Sequence, residues 1–146
     1  MSNVKEQACA YVDKIADQLI AVSRDIYEHP ELKFEEFGAS KLLAEKLQEA
    51  GFDTRLGVAG LKTAIQADHP AVSDGPTVAI ISEYDALPGI GHACGHNLIA
   101  AAGLGAALAI GALKSDLPGK LVFFGTPGEE GGGGKVLMVD AGLFNG

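Results

Sequence analysis

The sequence predicts an α/β protein with a mostly parallel central sheet, and three observations carry that prediction. TVAIISEY (77–84) and KLVFFGT (120–126) are apolar segments of strand length, rich in β-branched or aromatic residues. LIAAAGLGAALAIGAL (98–113) lies between them and reads as a helix packed closely in a core. Strand, helix and strand in succession give a βαβ unit, whose strands pair in parallel through a right-handed crossover.

The remaining elements follow in chain order. Val12, Ile15, Leu19, Val22 and Ile26 recur at helical spacing, which predicts one amphipathic helix running toward His29-Pro30. A second helix is predicted near 35–50, with Phe37, Leu42, Leu43 and Leu47 as its stripe and Gly51 as its C-terminal cap. The strand at 77–84 is bounded by Gly75-Pro76 and Pro88-Gly89, and its unbroken apolar centre predicts burial on both faces. KLVFFGT predicts a second buried strand, and GGGGKVLMVDAGLF a glycine loop leading into a further helix.

Composition sets the outer bounds. The 146 residues, 47% hydrophobic and 21% charged, are those of one globular domain large enough to bury a core. A net charge of −8 argues against nucleic acid or an anionic membrane surface as a partner, since either would need a basic patch. The apolar segment 98–113 is short for a membrane span. The start, MSNVKEQACAYVDKIADQL, lacks the apolar core of a signal peptide. Cys9 and Cys94 are the only cysteines and lie far apart, so reduced thiols and a cytoplasmic location are expected.

Chemistry concentrates in three segments: SEYDALPG after the first strand, GHACGHN before the helix, and TPGEEGGGG after the second strand. In open α/β sheets ligands bind beyond the carboxyl ends of the strands, so neighbouring strands would bring all three to one edge. GTPGEEGGGGK (125–135) is not a phosphate loop. Glu129 stands where that motif needs its first glycine, Val136 follows Gly134-Lys135, and two carboxylates would face the anion. Adjacent carboxylates suit a metal ligand beside a general base, or simply a solvated loop. Cys94 and His96 admit three readings: two zinc ligands, a cysteine–histidine nucleophile pair, or buried groups without chemistry. Glu83, Asp85, Glu129 and Glu130 weigh toward a cation, which neutralises carboxylates and a thiolate sharing one site. Asp85 could equally form the turn before Pro88-Gly89.

EYDALPG, GHACGHN and GTPGEEGGGG, in this order and spacing, resemble the zinc-dependent amidohydrolases of the aminoacylase and carboxypeptidase superfamily. The branch is that of hippurate hydrolase, indole-acetyl amino acid hydrolases and p-aminobenzoyl-glutamate hydrolase, and EYDALPGIGHACGHN is most similar to its β-alanyl-dipeptide dipeptidase-like members. The resemblance runs from the first helix to the last residue. It implies a zinc-exopeptidase-like α/β/α catalytic domain of which residues 1–146 form the N-terminal portion, with the rest of that domain and a lid or dimerisation domain lying beyond.

The resemblance also implies roles. Cys94, His96 and Glu130 match metal ligands, Glu129 matches the general base, and Asp85 matches the aspartate that orients a ligand. Glu83 stands where other branches carry a metal-binding histidine, and His92 receives no ligand role. Many relatives have aspartate where this chain has Asn97. The implied cofactor is Zn2+ in a two-metal site, with Mn2+ or another divalent cation as the alternative. The implied substrate is a small N-acyl amino acid or dipeptide, cleaved at its amide bond by a homodimeric enzyme. Two further histidine ligands would follow the Glu-Glu segment, and this chain has none after His96. The isolated chain is therefore expected to hold a partial metal site and show little or no hydrolase activity. The competing expectations are a silent binding module of the same fold and a cysteine–histidine acyl-transfer enzyme.

Overall fold

The computed structural model describes residues 4–69, 74–113 and 118–145. The first three residues of the N-terminal segment read above, and the last residue of the chain, lie outside the described residues. Two helices open the chain, α1 (Val4–Lys14) and α2 (Ala16–Glu28), followed by α3 (Phe37–Glu49). Strands β1 (Asp53–Leu56) and β2 (Ile65–His69) flank a single 3-10 turn, and β3 (Thr77–Ser82), α4 (His96–Ala112) and β4 (Lys120–Gly125) form the predicted βαβ unit. A four-residue turn of helix, α5 (Glu129–Gly132), leads into α6 (Gly134–Asp140).

The single amphipathic helix expected at the N-terminus is broken at Ile15, whose φ of −102° and ψ of 12° leave the helical region. No glycine or proline marks that break, and nothing in the local sequence explains it. The stripe survives it: Val22 and Ile26 are buried, with Tyr11, Ile15 and Leu19 packed against the same core. Helix α3 ends as expected at Gly51, which takes a φ of +87°. The Phe52 N–H then reaches back to the Leu47 carbonyl at 3.0 Å and the Gly51 N–H to Gln48 at 2.9 Å, closing the helix end.

The sheet order is β1-β2-β4-β3. β3 and β4 pair in parallel, as the βαβ reading requires, from Thr77 opposite Lys120 to Ser82 opposite Gly125. β1–β2 and β2–β4 are antiparallel, so among the described strands the sheet is mixed and the mostly parallel expectation is corrected. The reason is the β1–β2 hairpin. DTRL and IQADH are short and polar, and they carry none of the continuous apolar signal that marks a buried strand.

A second correction concerns β3. Its composition predicted burial on both faces, yet Val78 and Ile81 are exposed because β3 forms the edge of the described sheet. β4 lies inside the sheet and fits the expectation, with only Lys120 exposed. Leu121 and Phe123 point into the main core with Leu43, Leu47, Leu104 and Leu108, whereas Val122 and Phe124 meet Met138 and Ala64 on the other face. That alternation follows the two-residue period of a strand. No helix among the described residues is long and apolar enough to cross a membrane.

Candidate metal centre

The parallel pairing of β3 and β4 places their carboxyl ends side by side. Ser82 lies opposite Gly125, and the Ser82 carbonyl accepts hydrogen bonds from the Thr126 N–H at 2.8 Å and the Thr126 hydroxyl at 3.2 Å. Glu83–Asp85 therefore leaves the sheet beside Thr126–Glu130. Gly95, with a φ of +78°, turns the GHACGHN segment into α4 and makes His96 the first residue of the helix. Three separate segments thus meet at one sheet edge.

His96 is the hub, and it is 4% exposed. Its Nδ1 lies 2.8 Å from the Asp85 carbonyl. A carbonyl oxygen can only accept, so the ring hydrogen resides on Nδ1. Nε2 then presents a lone pair to two carboxylates, Glu83 Oε2 at 3.2 Å and Glu130 Oε1 at 3.8 Å. A lone pair opposite carboxylate oxygens is repulsive unless a proton or a metal cation lies between them. The Cys94 thiol is hydrogen-bonded to Glu130, and that bond, with desolvation and nearby negative charge, raises its pKa above the usual value of 9.0. An activated cysteine nucleophile needs the opposite, a depressed pKa beside a positive group.

Asp85 stands behind His96, 1% exposed. Its Oδ2 accepts the Glu130 backbone N–H at 2.9 Å. Its Oδ1 lies 3.1 Å from His96 Nδ1, but the ring hydrogen is aimed at the backbone carbonyl and Oδ1 has no hydrogen bond. A single buried carboxylate therefore touches the histidine and the backbone of Glu130. Glu129 points elsewhere, onto Lys135, whose ammonium also pairs with Glu83. Burial opposes the charge on Lys135, but the bonds to Glu129 and Glu83 outweigh it and raise its pKa.

In kind, thiol, imidazole and carboxylate donors fit a divalent cation of borderline softness such as zinc. In position, no three His, Cys, Asp or Glu side chains among the described residues converge closely enough to hold a metal ion. Cys94, His96, Glu130 and Glu83 therefore fit such an ion by the kind of donor they offer and not by their positions.

His92, to which the resemblance gives no ligand role, is 7% exposed and its ring nitrogens make no hydrogen bond. The Ile26 backbone lies near enough to favour the protonated ring, although not aligned as a true hydrogen bond, and burial dominates by lowering its pKa. Asn97, where many relatives have aspartate, turns away from the cluster and donates to the Ser23 hydroxyl on α2 at 3.0 Å. Lys135 is the residue that sequence reasoning missed. In the sequence it figures only in a failed phosphate loop, and its partner Glu83 is far away along the chain.

Comparison with known proteins shows the family. Residues 64–146, more than half of the chain, match Peptidase family M20/M25/M40. The chain is 40% identical to the Xaa-Arg dipeptidase of Mus musculus, over 97% of this chain and 36% of that protein. It is 37% identical to one of the subunits of the p-aminobenzoyl-glutamate hydrolase of Escherichia coli K12, over 92% of this chain and 30% of that protein. Among solved structures, the Bacillus subtilis YXEP protein, described as a dinuclear metal binding peptidase from the M20 family, superposes with a TM-score of 0.84. That likeness has 32% identity and covers 92% of this chain and 41% of the other. The chain thus spans about a third of the length of the curated relatives it matches. The strand-end cluster lies within the matched residues, and the chain belongs to peptidase family M20/M25/M40.

Proposed function

We propose that the protein is a metal-dependent amidohydrolase that cleaves the amide bond of a dipeptide or an N-acyl amino acid. One observation carries this reading: His96 is locked with Nε2 facing Glu83 and Glu130, an arrangement that asks for a cation. Cys94, His96 and Glu130 are the proposed ligands, and Zn2+ the proposed ion, in a two-metal site with Mn2+ as the competitor. When bound, such an ion supplies positive charge that polarises a carbonyl and acidifies water. The names of the relatives, a dipeptidase and a p-aminobenzoyl-glutamate hydrolase, support the substrate class.

The roles of the chain's own groups follow from where they point. The Asp85 backbone carbonyl keeps His96 in the ligand tautomer, and the Asp85 carboxylate holds the Glu130 backbone in place. Glu129 is the proposed general base. Lys135 engages its Oε2, so proton transfer falls to Oε1, which takes a proton from water and returns it to the leaving nitrogen. The cytoplasm is the proposed location, in keeping with two free cysteines. A homodimer is the proposed assembly, and light scattering of the whole protein checks it.

The deciding experiment combines a chelator with Glu129→Gln. Chelation should abolish hydrolysis, with Zn2+ or Mn2+ restoring it. Glu129→Gln should still bind metal while hydrolysis falls by about 10²- to 10⁴-fold. Hydrolysis that survives both treatments refutes the proposal.

A further inference from the structure

The segment ELKFEE (31–36) lies outside every motif considered so far, yet it reaches the glycine-rich loop at several points. Glu36 is fully buried, at 0% exposure. Its Oε1 accepts the Gly128 N–H at 2.8 Å and the Phe34 N–H at 2.9 Å, and its Oε2 accepts the Thr63 hydroxyl at 2.7 Å. Phe34 has a φ of +63°, the left-handed region that a residue with a Cβ rarely adopts. Its ring lies so close to the loop that a Cβ on Gly128 would sit 2.7 Å from it and one on Gly132 2.8 Å. Lys33 Nζ donates to the Gly131 carbonyl at 3.3 Å.

Two features mark this as more than packing. A buried carboxylate is costly unless its oxygens are saturated with donors, and here three donors from three separate segments satisfy it. An apolar residue in its place would leave those donors unpaired. Second, Gly128 is the residue immediately before Glu129, and the bond to its N–H fixes the Pro127–Gly128 peptide from which the turn to Glu129 starts. Glu130 has its own anchor, because Asp85 holds its N–H. Glu36 therefore governs the Glu129 side of the turn and Asp85 the Glu130 side. The same network extends to the other strand end, where the Tyr84 hydroxyl donates to the Thr63 carbonyl at 2.6 Å.

We propose that Glu36 is a positioning residue for Glu129, with its buried carboxylate fixing the Gly128 turn from which the general base projects and Phe34 seating the loop beneath it. This inference rests on the assignment of Glu129 as the base.

The test compares Glu36→Gln with Glu36→Ala. Glutamine keeps one oxygen for Gly128 and Phe34, and the Thr63 hydroxyl can turn to accept from its amide. Alanine removes all three bonds. Amide hydrogen exchange of this chain over residues 126–132 should rise about tenfold in Glu36→Ala and stay near wild type in Glu36→Gln. In the whole protein loaded with Zn2+, Glu36→Ala should lose about 10²-fold in kcat, with KM and zinc affinity changed less than about threefold. Should Glu36→Ala fail to fold, Glu36→Asp, whose carboxylate stops one methylene short, carries the same comparison. Unchanged exchange at 126–132 overturns the inference, as does a kcat loss that merely tracks unfolding or loss of zinc. A wild-type protein that binds zinc and hydrolyses no amide refutes the function proposed above, while the exchange comparison still decides whether Glu36 holds the loop.

Discussion

Replacing Asp85 by asparagine tests how the cluster prepares His96 for a metal. The carboxylate offers an acceptor in two directions, Oδ2 to the Glu130 N–H at 2.9 Å and Oδ1 toward His96 Nδ1 at 3.1 Å. Asparagine has one acceptor and one donor, so one direction must mismatch. If its oxygen stays on Glu130, its amide hydrogens face the Nδ1–H of His96. The ring then moves its hydrogen to Nε2, which removes the lone pair that would bind metal and breaks the bond to the Asp85 carbonyl. If the amide is turned round, the Glu130 N–H is left buried against a donor.

Either mismatch costs about 1–3 kcal/mol, the usual penalty for an unsatisfied buried group. At about 1.4 kcal/mol per decade, zinc affinity should fall roughly tenfold to a hundredfold. The assay is competition for Zn2+ against a chromophoric chelator, using the whole protein at a temperature where circular dichroism shows both forms folded. Zinc affinity of Asp85→Asn within about twofold of wild type would refute the reasoning, because the Asp85 backbone carbonyl would then suffice to hold the tautomer against the amide.

Three further predictions follow from the same geometry. Lys135→Met leaves Glu83 and Glu129 without their shared cation. Because the lysine side chain is 31% exposed, denaturation should show a loss below about 1 kcal/mol, while kcat falls and Lys135→Arg restores part of it. His92 has a pKa lowered from 6.5, chiefly by burial, so protonation favours the unfolded chain. Its contribution to stability is therefore full above pH 6.5 and is lost as pH falls below that point and through the lower folded value. Urea titrations at about pH 7.5 and about pH 5 should show a smaller acid loss in His92→Gln than in wild type, and equal losses would contradict this. Gly128→Ala combines a φ of +63° with a Cβ only 2.7 Å from the Phe34 ring. It should destabilise the chain by about 1–3 kcal/mol in denaturant titrations.

The legible parts of the fold share one property: their signal is local. Helix α3 announces itself by an apolar stripe and a capping glycine, α4 by an unbroken run of small and apolar residues, and β4 by aromatic and β-branched side chains. Whether a strand lies inside the sheet or at its edge is decided by its neighbours, which is why β3 and β4 read alike and yet differ in exposure. The β1–β2 hairpin had no comparable signal, since a short polar strand is stabilised by the partner it meets and not by its own composition.

The site divides along the same line. Cys94 and His96 could be found because they sit two residues apart at a helix start, and Glu129 and Glu130 because they are adjacent at a strand end. The groups that connect those pairs have no such spacing. Lys135 lies 52 residues from Glu83, and Gly128 lies 92 residues from Glu36. The glycines show the consequence most clearly. As a string, GTPGEEGGGG reads only as a glycine-rich loop between a strand and a helix. In the fold, Gly128 and Gly132 are bare because the ring of Phe34 occupies the space their side chains would need. That ring is held by a residue in a strained backbone conformation, which persists only where surrounding bonds fix it. Glu36 supplies such a bond through the Phe34 N–H and holds the Gly128 N–H with the same oxygen. Glycine content, backbone strain and a buried carboxylate are thus parts of one device, and its output is the position of Glu129.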